Sequence, residues 1–257
     1  MQTDPVRLFI DAWRLMTGRL GTPRFEEADG LACCLCDAPN LFFNLWIQSR
    51  ATETAEELSA LLAAGQARAD GHDPPVGGIL CEDWLPSNWE AVVEESGIVP
   101  LLPMISMETD ELLAPRRPPA ELEIRRVEDD RGARDLAMLN AGAYEMPTES
   151  FECMSTMAFW PGGDHAFVGY DGGKPVSCAA TLPVLGTVYV ALVATSADAR
   201  GKGYAETVMR HTVAAGQKAM GVQRTTLHAS MMGHPLYEAM GYASATPLVL
   251  VGPPVDG

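Results

Sequence analysis

A short stretch of glycines and basic residues carries the clearest chemistry in the sequence. Gly201 and Gly203 flank Lys202, and Arg200 stands directly before them. Glycine tolerates positive φ, so consecutive backbone N–H groups of such a loop can point into one space. A helix that begins at Tyr204 would add the partial positive charge of its N-terminus. The stretch therefore predicts a binding site for a diphosphate.

The spacing of this loop excludes two common phosphate-binding motifs. It is not a Walker loop, because Gly203 rather than Ser or Thr follows Lys202 and no glycine stands at the required upstream position. It does not fit GxGxxG either, because Glu206 occupies the place of the third glycine. It resembles motif A of the GNAT acetyltransferases, Arg/Gln-x-x-Gly-x-Gly/Ala, which Arg200, Gly203 and Ala205 match.

This resemblance implies where acetyl-CoA would bind as the co-substrate. In that family the loop amides bind the pyrophosphate, and the strand before the loop separates from its neighbour and hydrogen-bonds the pantetheine arm. An amide of that strand, here that of Val193, is implied to stabilise the oxyanion of the tetrahedral intermediate. The cofactor-binding residues implied in this way are Val193, Ala194, Thr195, Arg200, Gly201, Lys202, Gly203, Tyr204 and Ala205.

A second match lies downstream, between Leu227 and Tyr242. It resembles motif B of the same family, which ends Leu-Tyr-x-x-x-Gly-Phe, with Tyr242 in place of the Phe and Ser230 where Asn is frequent. The resemblance implies that Ser230 contacts the cofactor and that Tyr237 is catalytic, protonating the departing thiolate. A thiolate that leaves in a dry pocket needs such a donor. The alternative for Tyr237 is packing of its ring alone.

The general base is less clearly marked. Many relatives carry a Glu in the central strand, but no Asp or Glu occurs between Lys174 and Ala197. Three candidates remain: Glu145 and Glu149, in the loop after the first helix of this half, and His228, on the strand before motif B. Loss of the proton to bulk water is a fourth route, because a bound amine with a lowered pKa needs little help.

The C-terminal half has a pattern of strands and helices that would position these residues. The proline-rich segment Leu113 to Ala120 predicts a linker, and the glycines between two apolar runs predict a hairpin. The resemblance covers roughly residues 122 to 251. The predicted elements are a strand at 122–127, a helix at 133–144, a hairpin of 166–170 and 176–182, a buried strand at 187–195, a helix at 204–220, a strand at 223–229, a short helix at 235–240 and a strand at 247–251.

The N-terminal half shows a similar order without the cofactor motif. Both halves close with a helix, a glycine, a large apolar residue and a strand that bears a proline. After Ser49 and Arg50 comes Ala51, so motif A is absent there. The sequence therefore predicts an α/β protein (α+β, mixed sheet) with the acyl-CoA N-acyltransferase (GNAT) fold in tandem. Its parts are a degenerate GNAT-like domain at 1–114, a linker at 115–121 and a catalytic GNAT domain at 122–257. The further N-terminal elements expected are a helix at 5–20, strands at 31–36 and 42–47, and helices at 52–69 and 88–96.

Composition narrows the classes of partner. The formal net charge is −16, which argues against nucleic acid, because phosphate backbones are bound by clustered Lys and Arg. The chain starts without a basic region ahead of an apolar stretch, and prolines interrupt the apolar segment from Ile98 to Met107, so no export or membrane signal is expected. Three of the six cysteines (Cys33, Cys34 and Cys36) lie within one apolar segment, which favours a buried strand with free thiols over a metal site, and the histidines lack HExxH spacing. We expect a cytoplasmic protein with free thiols and no metal.

These observations lead to one hypothesis of function and two alternatives. The chain is expected to be an N-acetyltransferase that moves an acetyl group from acetyl-CoA to a primary amine of a small molecule or peptide by direct attack. The first alternative is a catalytically inactive module that binds acyl-CoA and regulates a partner. The second is a transferase for another acyl group or for a hydroxyl acceptor. The N-terminal domain would wall the acceptor site or occupy the surface that a second subunit uses in homodimeric relatives.

Overall fold

The computed structural model describes residues 4–254, which form two compact units. The first unit comprises the described residues up to Ser106, with Ala229–His234 and those from Ser244 onward; the second comprises Met107–His228 and Pro235–Ala243. The outermost residues of both predicted domains, 1–3 and 255–257, lie outside the described range. The elements are α1 (Pro5–Thr17), β1 (Arg24–Ala28), β2 (Leu31–Leu35), β3 (Leu45–Gln48), α2 (Ala55–Ala69), β4 (Gly77–Cys81), α3 (Trp89–Glu95), β5 (Val99–Thr109), β6 (Glu123–Arg126), α4 (Asp130–Ala143), β7 (His165–Asp171), β8 (Lys174–Val184), β9 (Thr187–Thr195), α5 (Tyr204–Met220), β10 (Thr225–Ser230), α6 (His234–Ala239) and β11 (Ala243–Gly252).

The second unit is built on a mixed sheet with strands in the order β10-β9-β8-β7-β6. The predicted hairpin is confirmed: β7 and β8 pair antiparallel, and Gly172 and Gly173 make the turn with φ of 57° and 83°. β9 pairs antiparallel with β8 and parallel with β10. Such a mixture of directions needs a crossover connection for the parallel pair, which α5 supplies.

Two helices cover opposite faces of this sheet. Cys178 of β8 contacts Asn140 of α4, whereas the ring of Phe167 on β7 lies edge-on against His211 of α5. Cys178 pairs with Val168, the residue next to Phe167, and neighbouring strand residues point to opposite faces. Both faces are therefore buried, which explains why β8 and β9 read as nearly continuous apolar runs in the sequence.

The strands of the first unit lie in the order β1-β2-β3-β4-β11-β5. Helix α1 packs one face through Phe9, while α2 packs the other through Leu58 and Leu62. β1, β2 and β3 pair antiparallel, and β3 pairs parallel with β4. The unit thus repeats the arrangement of β7 to β10.

The end of the chain joins the first unit. Leu248 to Val251 of β11 pair antiparallel with Gly78 to Cys81 of β4. The side chains of Leu248 and Leu250 lie in the same buried cluster as Phe9. The prediction from sequence had included this last strand in the domain at 122–257. The cause is that β11 is apolar on both faces, and the pattern of an isolated strand does not say which strand it pairs with.

The predicted helices and strands are largely confirmed, with differences in the first unit. The strand expected at 42–47 begins only at Leu45, because a turn of 3₁₀ helix occupies Leu41–Phe43. Asn40 caps that turn by accepting a hydrogen bond from the Phe42 N–H at 2.8 Å. Strands β1 and β4 were not predicted. All five residues of β1 are exposed, so the strand has no buried face to produce an apolar alternation.

Candidate active site

The glycine loop leads from β9 into α5 as predicted. Gly201 and Gly203 have φ of 77° and 82°, a region that glycine occupies without strain. Gly203 is the N-cap of α5, and no side chain caps the helix. The first backbone N–H groups of α5 therefore lack the side-chain acceptors that many helices provide, and the helix terminus can receive an anion.

A cavity of about 200 Å³ lies over this helix terminus. Thr195, Gly203, Ala205 and Leu236 belong to its lining, together with the basic side chains of Arg117 and Arg200. Six of the predicted contacts thus line one space, namely Thr195, Arg200, Gly201, Gly203, Tyr204 and Ala205, whereas Val193, Ala194 and Lys202 are not among its lining residues. Arg117 was not predicted, because nothing in a proline-rich segment marks one arginine as part of a distant loop.

The carboxylate of Glu206 also lines the cavity, but its charge is matched. Arg210, one turn further along α5, donates from Nε to Glu206 Oε1 at 2.9 Å. Neighbouring turns of a helix bring i and i+4 side chains together. Because Arg210 neutralises Glu206, the carboxylate at the place of the third glycine of GxGxxG does not cancel the positive charge of the loop.

Strand β9 carries a bulge just before the loop. Cys178 of β8 pairs with Ala194 and Ala180 pairs with Ala191, so Leu192 and Val193 lie opposite a single residue. Leu192 has φ of 56°, which is unusual for a leucine. A bulge removes an N–H group from the ladder and re-aims it. Val193, the predicted oxyanion residue, is thus at the point where the ladder is interrupted.

A buried side chain supports this bulge. Asn140 of α4 lies with its Nδ2 3.5 Å from the Leu192 carbonyl oxygen and 3.4 Å from Cys178 Sγ. Cys178 Sγ also lies 3.4 Å from the Leu192 oxygen. Burial raises the pKa of Cys178 to about 12, so this side chain is a neutral thiol at physiological pH. The left-handed Leu192 is held by contacts from two elements.

Strands β9 and β10 separate just before the bulge. Their parallel pairing covers Val188 with Thr225 and Tyr189 with Thr226, and β9 then continues to Thr195 without a paired residue on β10. Side chains bridge the beginning of this gap. The Tyr189 hydroxyl and His228 Nδ1 are 2.8 Å apart. The two strands are therefore separate from the residue after Tyr189 to the end of β9, over the stretch that leads to the glycine loop.

Tyr237 lies buried on α6. Its ring packs edge-on against Tyr242, with centroids 6.1 Å apart. Burial raises the pKa of Tyr237, and the nearby hydroxyl of Tyr144 raises it further. Burial also raises the pKa of Tyr189, again with Tyr144 as a neighbour. These hydroxyls keep their protons at neutral pH, as a proton donor must.

Comparison with known proteins shows what this part of the chain is similar to. Residues 162–244 match the family model of the acetyltransferase (GNAT) domain. The match covers about a third of the chain and makes this segment similar to that domain. No curated protein sequence matches the chain.

Solved structures agree on the GNAT fold over nearly the whole chain. A GCN5-related N-acetyltransferase from Kribbella flavida superposes with a TM-score of 0.67 at 20% identity, over 97% of this chain and 96% of that one. A protein from Staphylococcus epidermidis, described as functionally unknown, gives 0.68 at 12% identity, over 91% and 95%. A tandem GNAT protein from the clavulanic acid biosynthesis pathway gives 0.52 at 14% identity, over 98% and 96%. At these identities the similarity establishes the fold alone.

The three candidates for the general base have different surroundings. Glu145 and Glu149 are both exposed, and Glu145 has a left-handed backbone with φ of 54°. His228 is half-buried and bonded to Tyr189. Sequence reasoning missed Tyr189, although an aromatic residue within an otherwise aliphatic central strand was a visible signal.

One predicted contact falls in the first unit. Ser230 ends β10, and its Oγ accepts a hydrogen bond from the Gly233 N–H at 3.4 Å. Its assignment as a cofactor contact stays a prediction. Within residues 4–254, no group of three or more His, Cys, Asp and Glu side chains is placed to hold a metal ion. In the same range no helix combines the length and the apolar character needed to cross a membrane.

Proposed function

We propose that the chain is an acetyl-CoA-dependent N-acetyltransferase that acts on a primary amine. One observation carries the proposal: an uncapped helix terminus with left-handed glycines and exposed cations directly follows a bulged strand that leaves its parallel neighbour. GNAT domains generally use acetyl-CoA. The residues fit that donor, because the loop offers backbone donors and positive charge to a diphosphate, and the separated strand offers backbone groups to a pantetheine arm.

The proposed reaction is direct acyl transfer. The amine nitrogen bonds to the thioester carbonyl carbon, and the oxygen takes the negative charge near the Val193 amide. The carbon–sulfur bond then breaks, Tyr237 donates its proton to the sulfur, and the second proton that the nitrogen loses restores the Tyr237 hydroxyl. Tyr237 is buried and its hydroxyl is neutral at neutral pH, which is the form that can donate. Backbone contacts from Val193 to Thr195 are proposed to hold the pantetheine arm.

The proton of the attacking ammonium is proposed to leave through the pair of Tyr189 and His228. Their hydrogen bond of 2.8 Å joins the two strands where they begin to separate. This pair compensates for the absence of a carboxylate between Lys174 and Ala197. We favour it over Glu145 and Glu149, which are exposed to water.

The first experiment is calorimetric titration of acetyl-CoA into the protein. We expect micromolar binding, roughly −8 kcal/mol. The Arg200→Ala, Gly203→Glu double variant should lose it, because it removes a cation and places a carboxylate at the helix terminus. Arg116→Ala is the matched control, since Arg116 is exposed and does not line the cavity. No binding by the unaltered protein would refute the proposal.

A second candidate is an inactive module that binds acyl-CoA. The missing strand carboxylate favours it. Turnover with a panel of amines, followed by release of the CoA thiol, separates the two: binding without turnover on any amine would support the inactive module. Competition between acetyl-CoA and longer acyl-CoA esters tests whether another acyl group is the natural one.

We propose that the first unit is a GNAT-like domain that binds no acyl-CoA. Both halves of the chain present three antiparallel strands, a helix, a parallel strand, a short helix and a further strand in chain order, although the last strand, β11, lies in the first unit. Helix α2, which corresponds to α5, is capped: Thr54 Oγ1 accepts from the Glu57 N–H at 3.2 Å, and Glu57 Oε2 accepts from the Glu53 N–H at 2.8 Å. Calorimetry should therefore give one acyl-CoA per chain, and two would contradict this assignment.

The proposed location is the cytoplasm. The six cysteines form no disulfide in the described part of the chain, which agrees with a reducing compartment.

A further inference from the structure

The proline-rich segment Leu113 to Ala120 is attached to the second unit at both ends. The Leu113 N–H donates to the Met240 carbonyl at 2.9 Å, just after α6. The Ala120 N–H donates to Thr207 Oγ1 at 3.0 Å, in the first turns of α5. Prolines between these points restrict the backbone. We call the segment 113–120 the strap; it connects the end of motif B to the helix of motif A.

The middle of the strap carries Arg117 onto the glycine loop. A Cβ added to Gly203 would lie 3.1 Å from Arg117 Nε and 3.2 Å from its Cζ, so the guanidinium rests against the glycine. Its Nη1 lies 3.5 Å from the Gly201 carbonyl oxygen, at the long limit for a hydrogen bond. Arg117 forms no ion pair with any residue of the described range 4–254.

The charges around the cavity point to an anionic ligand. Arg117 and Arg200 line it, Lys202 stands in the same glycine loop, and none of the three pairs with a carboxylate among the residues that the structure describes. The chain as a whole has a formal charge of −16, so unpaired cations close together are unexpected on its surface. A guanidinium presents several N–H donors in a plane that matches phosphate oxygens.

We propose that Arg117 is a third basic contact to the pyrophosphate of the acyl donor, supplied by the strap rather than by motif A. The inference rests on the proposed function, because it assumes a CoA ester in the cavity. Arg117 would exchange its long contact with the Gly201 carbonyl for a charged hydrogen bond to a phosphate oxygen. The strap would thereby select donors that bear a diphosphate.

The test is calorimetry with CoA, 3′-dephospho-CoA and pantetheine on Arg117→Gln, with Arg116→Gln as the control for an equal change of net charge. Loss of one charged hydrogen bond should weaken CoA about tenfold or more. We expect the same factor for 3′-dephospho-CoA, which keeps the pyrophosphate, and no change for pantetheine. Arg117→Lys, which keeps the charge, should retain part of the affinity. Unchanged melting temperatures would show that the variants fold.

The outcomes distinguish this inference from the function on which it rests. If the unaltered protein binds no CoA, the proposed function fails and the inference with it. If CoA binds and Arg117→Gln behaves like Arg116→Gln, the inference alone is overturned. If the loss appears with CoA but not with 3′-dephospho-CoA, Arg117 contacts the 3′-phosphate and the assignment to the pyrophosphate is wrong.

Discussion

Replacing Leu192 by alanine and by glycine tests the bulge of β9 directly. In a regular strand, glycine is less stable than alanine by roughly 0.5–1 kcal/mol, because it loses more conformational freedom on folding. At Leu192 the backbone has φ of 56°, where a residue with a Cβ is strained by roughly 1–2 kcal/mol. The strain exceeds the entropy term. Leu192→Gly should therefore be more stable than Leu192→Ala by about 0.5–1 kcal/mol, the reverse of the usual order.

Urea unfolding of both variants measures this difference. Both variants lose all leucine atoms beyond Cβ, and they differ only in the Cβ itself. The loss of packing therefore nearly cancels when the two variants are compared. Ala191 is the neighbouring control, because it pairs with Ala180 in the regular ladder. Ala191→Gly should be less stable than the unaltered protein by roughly 0.5–1 kcal/mol. If Leu192→Ala equalled or exceeded Leu192→Gly in stability, the bulge and the interruption at Val193 would be refuted.

Three further predictions concern catalysis, thiol chemistry and packing. Tyr237→Phe should lower kcat about 100-fold, the scale of general acid catalysis, and leave acetyl-CoA affinity within twofold; an unchanged kcat would show that the ring only packs. A thiol reagent at pH 8 should label half-buried Cys153 before buried Cys178, because burial raises the pKa of Cys178 to about 12 and leaves little of it as thiolate. Mass spectrometry identifies the labelled residue, and faster labelling of Cys178 would contradict this. Gly78→Ala should destabilise the protein by about 3 kcal/mol, because the new Cβ would lie 2.0 Å from Trp46 Cζ2; normal urea unfolding would refute that contact.

The sequence was sufficient for features that depend on local chemistry. The hairpin of β7 and β8 was predictable because two glycines at positive φ separate two apolar runs. Helix α5 was predicted with its observed bounds, since Gly203 stands before it and Gly221 ends it, both in the left-handed region. The loop of motif A was found for the same reason, because its glycines and cations are adjacent in the chain.

Features that depend on distant partners were not predictable. The approach of Arg117 to Gly203 joins residues far apart in the chain, and the strap gives no signal of which side chain meets the loop. The bulge at Leu192 follows from the register of β9 against β8 and from support by Asn140. A glycine in a sequence signals that the backbone can adopt positive φ at that position, whereas a leucine gives no such signal.

The position of β11 decides how a role for the first unit can be tested. Leu248 and Leu250 belong to a buried cluster that contains Phe9 and Ile79, and β4 is the strand with which β11 pairs. Removing residues 1–115 would expose this apolar strand, so we expect the remainder to be insoluble. If such a truncated protein lost activity, the cause would be that it no longer folds, and the result would not show that the first unit binds the acceptor. A soluble and fully active remainder would overturn both the packing of β11 and the hypothesis that the first unit walls the acceptor site.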